Sequence, residues 1–208
     1  MQVAVFPLGP LETNCLVIYT DDEAVAVDPG GDPKAVLRML GERKLRLGHI
    51  LLTHLHFDHT FGVAPLAAAT GATVLGPEGD RYMLADELGM GGTWGLPKVP
   101  RYEFSSLQPG DIPLLGTVCR VIATPGHTPG SLSFYFSELG AVFSGDTLFY
   151  RSIGRSDFPG GNHAVLCASI RDKLFTLPDA TAVYSGHGPV TRIADEKRSN
   201  PFVGMFSL

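Results

Sequence analysis

No apolar stretch in this chain approaches the ~20 residues that span a bilayer, and no Lys/Arg run clusters the positive charge that phosphate binding needs. A membrane-spanning protein and a nucleic-acid surface are therefore not expected. Charge of either sign is scarce, with 16 Lys+Arg and 21 Asp+Glu making 18% of 208 residues and a net charge of -5. No low-complexity tract is present, and the hydrophobic fraction of 44% is ordinary, which argues against disorder. No period of 20–50 residues recurs, so a solenoid or propeller is excluded. Cysteine is limited to Cys15, Cys119 and Cys167, odd in number and far apart, which fits reduced thiols packed as small core hydrophobes. The first residues lack a basic leader, and Pro7 and Pro10 interrupt any signal core, so the expected location is the cytoplasm.

Glycine and proline, by contrast, are abundant at 25 and 16 residues. Gly reaches backbone angles that other residues avoid and Pro fixes one, so many tight turns and ordered loops are expected. The length suits one domain, residues 1–208. Short β-type runs at Val3–Phe6, Leu16–Tyr19 and Ala24–Val27 precede a turn, Asp28-Pro29-Gly30-Gly31-Asp32-Pro33, whose last two residues start a helix to about Glu42. Ile50-Leu51-Leu52 reads as a strand buried on both faces. Helices are expected over Phe61–Thr70, over residues 78–89, and over His163–Phe175 behind an Asn162 cap. Further strands fall at Thr73–Leu75, Val118–Ala123, Ser131–Phe136, Ala141–Ser144 and Ala182–Tyr184. Residues 89–100 are the least patterned and are expected to form a mobile flap. Two rounds of strands followed by helices predict an α/β chain with two sheets face to face and helices outside.

Five of the seven histidines fall in three loops, each directly after an expected strand. These are Thr53-His54-Leu55-His56-Phe57-Asp58-His59, the loop around His127, and the loop around His187; Ser144-Gly145-Asp146 ends a fourth strand. Imidazole and carboxylate converging at strand ends suit a divalent metal, whether zinc, iron or manganese. Residues two apart point the same way, so His54 and His56 can grip one ion while Asp58 and His59 face a second. His127 and His187 would complete one ion each, and Asp146 could bridge both. A lone His such as His127, or a lone Ser-Gly-Asp, is more often structural, but the dense H-x-H-x-D-H run is hard to explain without a metal. His49 and His163 lie outside the pattern.

Two divalent ions bring +4; Asp58, Asp146 and a bridging hydroxide remove three, leaving about +1 beside a forming oxyanion. That charge favours acyl transfer. No G-x-S-x-G elbow is present, so a serine hydrolase is unsupported. No side chain stands out to protonate a leaving group, and a thiolate with pKa ~8.5 leaves unprotonated where an amine cannot. Thioesters are favoured over amides.

The chain resembles the metallo-β-lactamase superfamily from Thr13-Asn14-Cys15 to Asn200-Pro201, and within it the short glyoxalase II-like (hydroxyacylglutathione hydrolase-like) group. The resemblance rests on Thr53–His59, Pro125–Gly130, Ser144–Phe149, Gly154-Arg155-Ser156-Asp157-Phe158-Pro159 and the stretch from Ser185 to Thr191. It implies an αββα four-layer sandwich, two mixed sheets with helices outside. It also implies that His54, His56 and His127 hold one metal, that Asp58, His59 and His187 hold the other, and that Asp146 bridges. Two zinc ions, or iron or manganese, would act on a small thioester such as S-D-lactoylglutathione through a metal-held hydroxide, with Asp58 as the catalytic carboxylate. Arg155 matches a basic residue that contacts glutathione in glyoxalase II; a bridge to Asp157 is the structural alternative. A β-lactamase proper carries Arg at the position of His59, which disfavours that activity. The given sequence ends at Leu208, before any counterpart of the C-terminal helices of full-length glyoxalase II. Persulfide dioxygenases also share Gly154-Arg155-x-Asp157-Phe158 and an Arg at position 151, and hold one iron through counterparts of His54, His127 and Asp146. The Gly-His-Gly-Pro ending fits the hydrolase side better. A non-catalytic scaffold is disfavoured because all seven ligand positions are intact.

Overall fold

The computed structural model describes residues 1–93 and 95–205. They form two compact units, Met1–Leu107 with Leu114–Gly116, and Gln108–Pro113 with the chain from Thr117 onward. No helix among the described residues is long and apolar enough to cross a membrane.

The first unit carries a six-stranded mixed sheet in the order β1-β2-β3-β4-β5-β6. Its strands are β1 (Gln2–Leu8), β2 (Thr13–Tyr19), β3 (Glu23–Val27), β4 (Arg46–Leu51), β5 (Thr73–Gly76) and β6 (Ser105–Ser106). The first three are antiparallel neighbours, and from β3 to β6 the pairing is parallel. Parallel neighbours need crossovers, supplied by α1 (Lys34–Arg43) between β3 and β4 and by α2 (Phe57–Thr60) with α3 (Val63–Thr70) between β4 and β5. Val36 and Leu40 of α1 and Val63 and Leu66 of α3 join Ala24, Ala26, Ile50 and Leu52 in one core. β2 is buried at all seven positions, and Ile50, Leu51 and Leu52 are fully buried, as a strand covered on both faces requires.

In the second unit the order is β14-β13-β10-β9-β8-β7. These are β7 (Gly110–Leu114), β8 (Thr117–Ala123), β9 (Leu132–Phe136), β10 (Ala141–Gly145), β13 (Ala182–Ser185) and β14 (Thr191–Arg192). A separate two-stranded hairpin joins β11 (Leu148–Phe149) to β12 (Ser152–Ile153). β8 and β10 are each antiparallel to β9, and β10 is parallel to β13, so β8, β10 and β13 point the same way. Helix α5 (His163–Asp172) buries Leu166 and Ile170 over this sheet, with Ile193 at the head of α6 (Ile193–Ser199).

Several local expectations are corrected. Residues 78–89 do not form one α-helix: Glu78–Ala85 is 3-10 and α4 is only Glu87–Met90, begun by Asp86, whose side chain accepts from the Leu88 N–H. The helical stretch after the histidine run starts four residues early, at Phe57, and breaks near Gly62, so Asp58 and His59 sit inside a helical turn. The expected flap includes Trp94, which lies outside the described residues; on either side of it Gly91 bridges Lys98. The Asn162 cap is present, its side chain accepting from the Val165 N–H at 3.1 Å.

Candidate metal centre

Four of the expected donors belong to the first unit. β3 and β4 are parallel, with Val27 opposite Leu51, so Asp28 and the Thr53–His54 segment leave the sheet side by side. Such carboxyl ends of parallel strands are where α/β folds place their ligands. His56 is extended and begins α2, so His54 and His56 precede the turn and Asp58 and His59 lie within it. All four are buried. The His54 ring lies 4.8 Å from that of His56 and 4.1 Å from that of His59.

The contacts behind these donors decide which atoms face forward. Asp28, buried and in the left-handed region at φ 50°, accepts from the Thr53 N–H at 2.8 Å and from the Thr53 hydroxyl at 2.5 Å. Its second oxygen also lies 2.9 Å from His59 Nδ1. A carboxylate there fixes the proton on Nδ1 and turns the Nε2 lone pair away from it. Nε2 of His59 stands 3.6 Å from Asp58 Oδ2, which in turn accepts from the Thr13 hydroxyl at 3.1 Å. Asp28, His54 and His59 also have donor atoms within 4.8 Å of one another, a spacing a metal would fit. Asp28 is nonetheless an orienting group, because three hydrogen-bond donors already occupy its oxygens.

Asp28 and Asp80 are the residues that sequence reasoning missed. The sequence pattern puts the first in a turn and the second in a helix; Asp80 is fully buried and accepts from the Leu55 N–H, between the two histidines, at 3.4 Å. The available signal for Asp28 was a carboxylate ending a strand whose parallel neighbour runs into the histidine motif. Gly30 belongs to the same design. A Cβ there would lie 1.8 Å from the Asp58 carbonyl, so only glycine lets this turn rest on α2.

His127, Asp146 and His187 belong to the second unit, at the ends of the like-directed strands β8, β10 and β13. His127 Nε2 and His187 Nε2 each lie 3.7 Å from the same oxygen of Asp146. His127 Nδ1 stands 2.7 Å from the Arg155 carbonyl, an acceptor that fixes the proton on Nδ1 and leaves Nε2 as the ligand atom. The Ser185 hydroxyl donates to the His187 carbonyl at 2.8 Å and closes that loop. Ser169 of α5 donates to the Pro125 carbonyl at 2.7 Å, tying the His127 loop to a helix.

The donor chemistry fits divalent ions. Separations of 3.6–3.7 Å between Nε2 and carboxylate oxygen are too long for hydrogen bonds. They approach the ~3.4 Å between two ligands that hold one ion tetrahedrally at ~2.1 Å. Arg155 is not among these donors. Its guanidinium is exposed, lies over the Phe158 ring and holds Asp157 through two bonds of 3.0 and 2.9 Å. That pairing keeps the Asp157 carboxyl below the usual carboxylate range. Burial pushes the Cys119 thiol up to about 12 and that of Cys15 higher still, in keeping with core cysteines.

A family model described as "Metallo-beta-lactamase superfamily" matches residues 8–187. This chain belongs to the metallo-β-lactamase superfamily. Among its relatives, the probable metallo-hydrolase YqgX of Bacillus subtilis is 38% identical over 97% of each chain. Hydroxyacylglutathione hydrolase GloC of Haemophilus influenzae is 36% identical over 98% of each. Solved structures with the same fold include BLEG-1, described as a B3 metallo-β-lactamase (TM-score 0.92, 40% identity, 97% of this chain and 99% of that one). They also include TTHA1623 in a di-iron-bound form (0.87, 39%, 96% and 100%) and ETHE1 of Myxococcus xanthus (0.76, 34%, 98% and 84%). The chain thus has the metallo-β-lactamase fold, two mixed sheets with helices, and is a metal-dependent enzyme of that superfamily.

Proposed function

We propose that this chain is a metal-dependent thioester hydrolase of glyoxalase II type, acting on a glutathione-linked substrate such as S-D-lactoylglutathione. In this reading residues 1–208 work as one domain in the cytoplasm. His54, His56 and His127 would hold one ion, Asp58, His59 and His187 would hold another, and Asp146 would serve both. The observation that carries the reading is donor orientation: His59 and His127 each have Nδ1 against a fixed acceptor, while Nε2 faces a carboxylate. Two divalent ions held there, zinc first and iron or manganese as alternatives, would supply Lewis-acid chemistry and a hydroxide nucleophile at neutral pH. Asp58, held by Thr13, orients the attacking oxygen and takes its proton. Arg155 offers its outer N–H groups to a substrate carboxylate while Asp157 fixes its plane. The likeness to GloC supports the thioester class.

Steady-state turnover of S-D-lactoylglutathione by the zinc-loaded protein is the direct test, and a rate equal to buffer sinks this substrate. A second reading, a mononuclear-iron persulfide dioxygenase, is favoured by Arg151 and by Gly154-Arg155-x-Asp157-Phe158. One iron per chain with oxygen uptake on glutathione persulfide would select it; two ions per chain without oxygen uptake selects the hydrolase. A β-lactam in the same substrate panel checks the activity named for BLEG-1.

A further inference from the structure

Glu196 is fully buried, stands outside the set of expected donors, and nothing in the reading above uses it. A buried carboxylate is costly unless hydrogen bonds compensate it. Here one oxygen accepts from the Arg151 N–H at 3.0 Å and from the Asn200 side chain at 2.8 Å. The other accepts from the Thr191 hydroxyl at 2.6 Å and faces an Arg151 guanidinium nitrogen at 3.4 Å. That nitrogen also donates to the Asp195 carbonyl at 2.5 Å, and Asn200 donates to the Ser152 carbonyl at 3.0 Å. Arg151 and Ser152 of the β11–β12 hairpin are thus tied to α6 and to Asn200 at its end.

That hairpin needs an outside hold. It has two paired positions, Leu148 with Ile153 and Phe149 with Ser152, too few to be stable alone. Its turn residue Arg151 stands in the left-handed region at φ 55°, a conformation unfavourable for a residue with a side chain. Yet its two ends carry the donor geometry of this unit. Asp146 lies just before β11, and just after β12 come Gly154 and the Arg155 carbonyl that fixes His127. Gly154 packs so tightly that a Cβ would lie 1.8 Å from the Asp146 carbonyl and 3.3 Å from His127 Nδ1. On the hairpin itself, the Phe149 ring meets His187 edge-on at 6.3 Å.

We propose that Glu196 is a positioning residue for the metal centre: by clamping the Arg151 turn it sets the spacing of Asp146, His127 and His187 without touching an ion. This rests on the metal-donor part of the function proposed above. The test is cobalt(II) binding to the full-length, metal-free protein, read by affinity against a chelator and by the visible ligand-field spectrum. Glu196→Gln keeps the shape but turns an N–H₂ toward hydrogen-bond donors, so cobalt affinity should fall about tenfold and the spectrum should change. Lys197→Ala breaks the ion pair of the neighbouring α6 residue with Asp179, which does not reach the hairpin, and serves as the structural control. It should lower the unfolding midpoint at most, with affinity and spectrum unchanged. If Glu196→Gln lowers the midpoint yet keeps wild-type affinity and spectrum, Glu196 is a fold residue only and the proposal is overturned. Should that variant fail to fold, Glu196→Asp keeps the charge but draws the carboxylate back from the Arg151 turn by one methylene. Unchanged cobalt binding there overturns the proposal equally. Wild-type protein that binds cobalt but turns over no thioester refutes the substrate assignment and leaves the clamp standing.

Discussion

At the residue scale the centre is governed as much by what stands behind the histidines as by the histidines themselves. Asp28 satisfies three donors with two oxygens, so Asp28→Asn places an amide N–H₂ against at least one of them. The expected result is a stability loss of about 1–3 kcal/mol for the buried mismatch. Metal affinity should drop 10–100-fold as His59 loses its anchor, measured by chelator competition and by denaturant unfolding. Arg155 permits a cleaner separation of roles. Because its guanidinium holds the Asp157 carboxyl below the usual range, Arg155→Ala should move the Asp157 titration upward, as read by NMR. The sign follows from linkage: the pair favours the folded state above the ordinary carboxylate pKa of ~3.9 and loses that contribution as pH falls through the lowered value. Both partners are exposed, so stability at neutral pH should scarcely change. If Arg155 holds the substrate carboxylate, KM for S-D-lactoylglutathione rises about tenfold with kcat nearly unchanged. Equal loss in kcat would place Arg155 in the chemistry instead.

At the scale of elements, short pieces held from outside carry or flank the donors. α2 has four residues and the β11–β12 hairpin two paired positions, both below the length at which such elements persist alone. Their stability is tertiary, which is why periodicity did not reveal them. The helix expected from Phe61 began at Phe57 because the turn containing Asp58 and His59 is fixed by Thr13, Asp28 and Gly30, not by helix propensity. Residues 78–89 carry apolar positions at helical spacing, yet buried Asp80 reaches the Leu55 N–H and the segment tightens into a 3-10 form. A sharp test of packing at this scale is Gly154→Ala. The added methyl meets the Asp146 carbonyl, so the backbone must move. Stability should fall by about 1–3 kcal/mol, and zinc content after dialysis should fall with it. A variant with normal metal content would mean that the Asp146 segment is not held by this contact.

At the scale of the whole molecule, bound metal should couple to stability. A metal that binds the folded chain and not the unfolded one, at one hundred times its dissociation constant, adds about 2.7 kcal/mol per site. Dialysis against a chelator should therefore lower the thermal midpoint by several degrees and abolish turnover, and zinc should restore both. A midpoint indifferent to chelator would count against resident metal.

How much of this was legible in the chain differs by feature. The seven expected donors, the strands that end at them and the Asn162 cap are local statements, since side-chain chemistry and two- or four-residue spacing suffice to write them down. The single excess in composition, 25 glycines and 16 prolines, also had a local meaning, visible where Gly30 and Gly154 leave no room for a Cβ. What only the tertiary structure decided is the set of partners that orient those donors. Asp28 with His59, the Arg155 carbonyl with His127, and Glu196 with Arg151 are separated by 31, 28 and 45 positions. Such pairings come from strand order and loop closure, and no local propensity encodes them. The sequence determined which atoms can bind; the fold determined which way each of them faces.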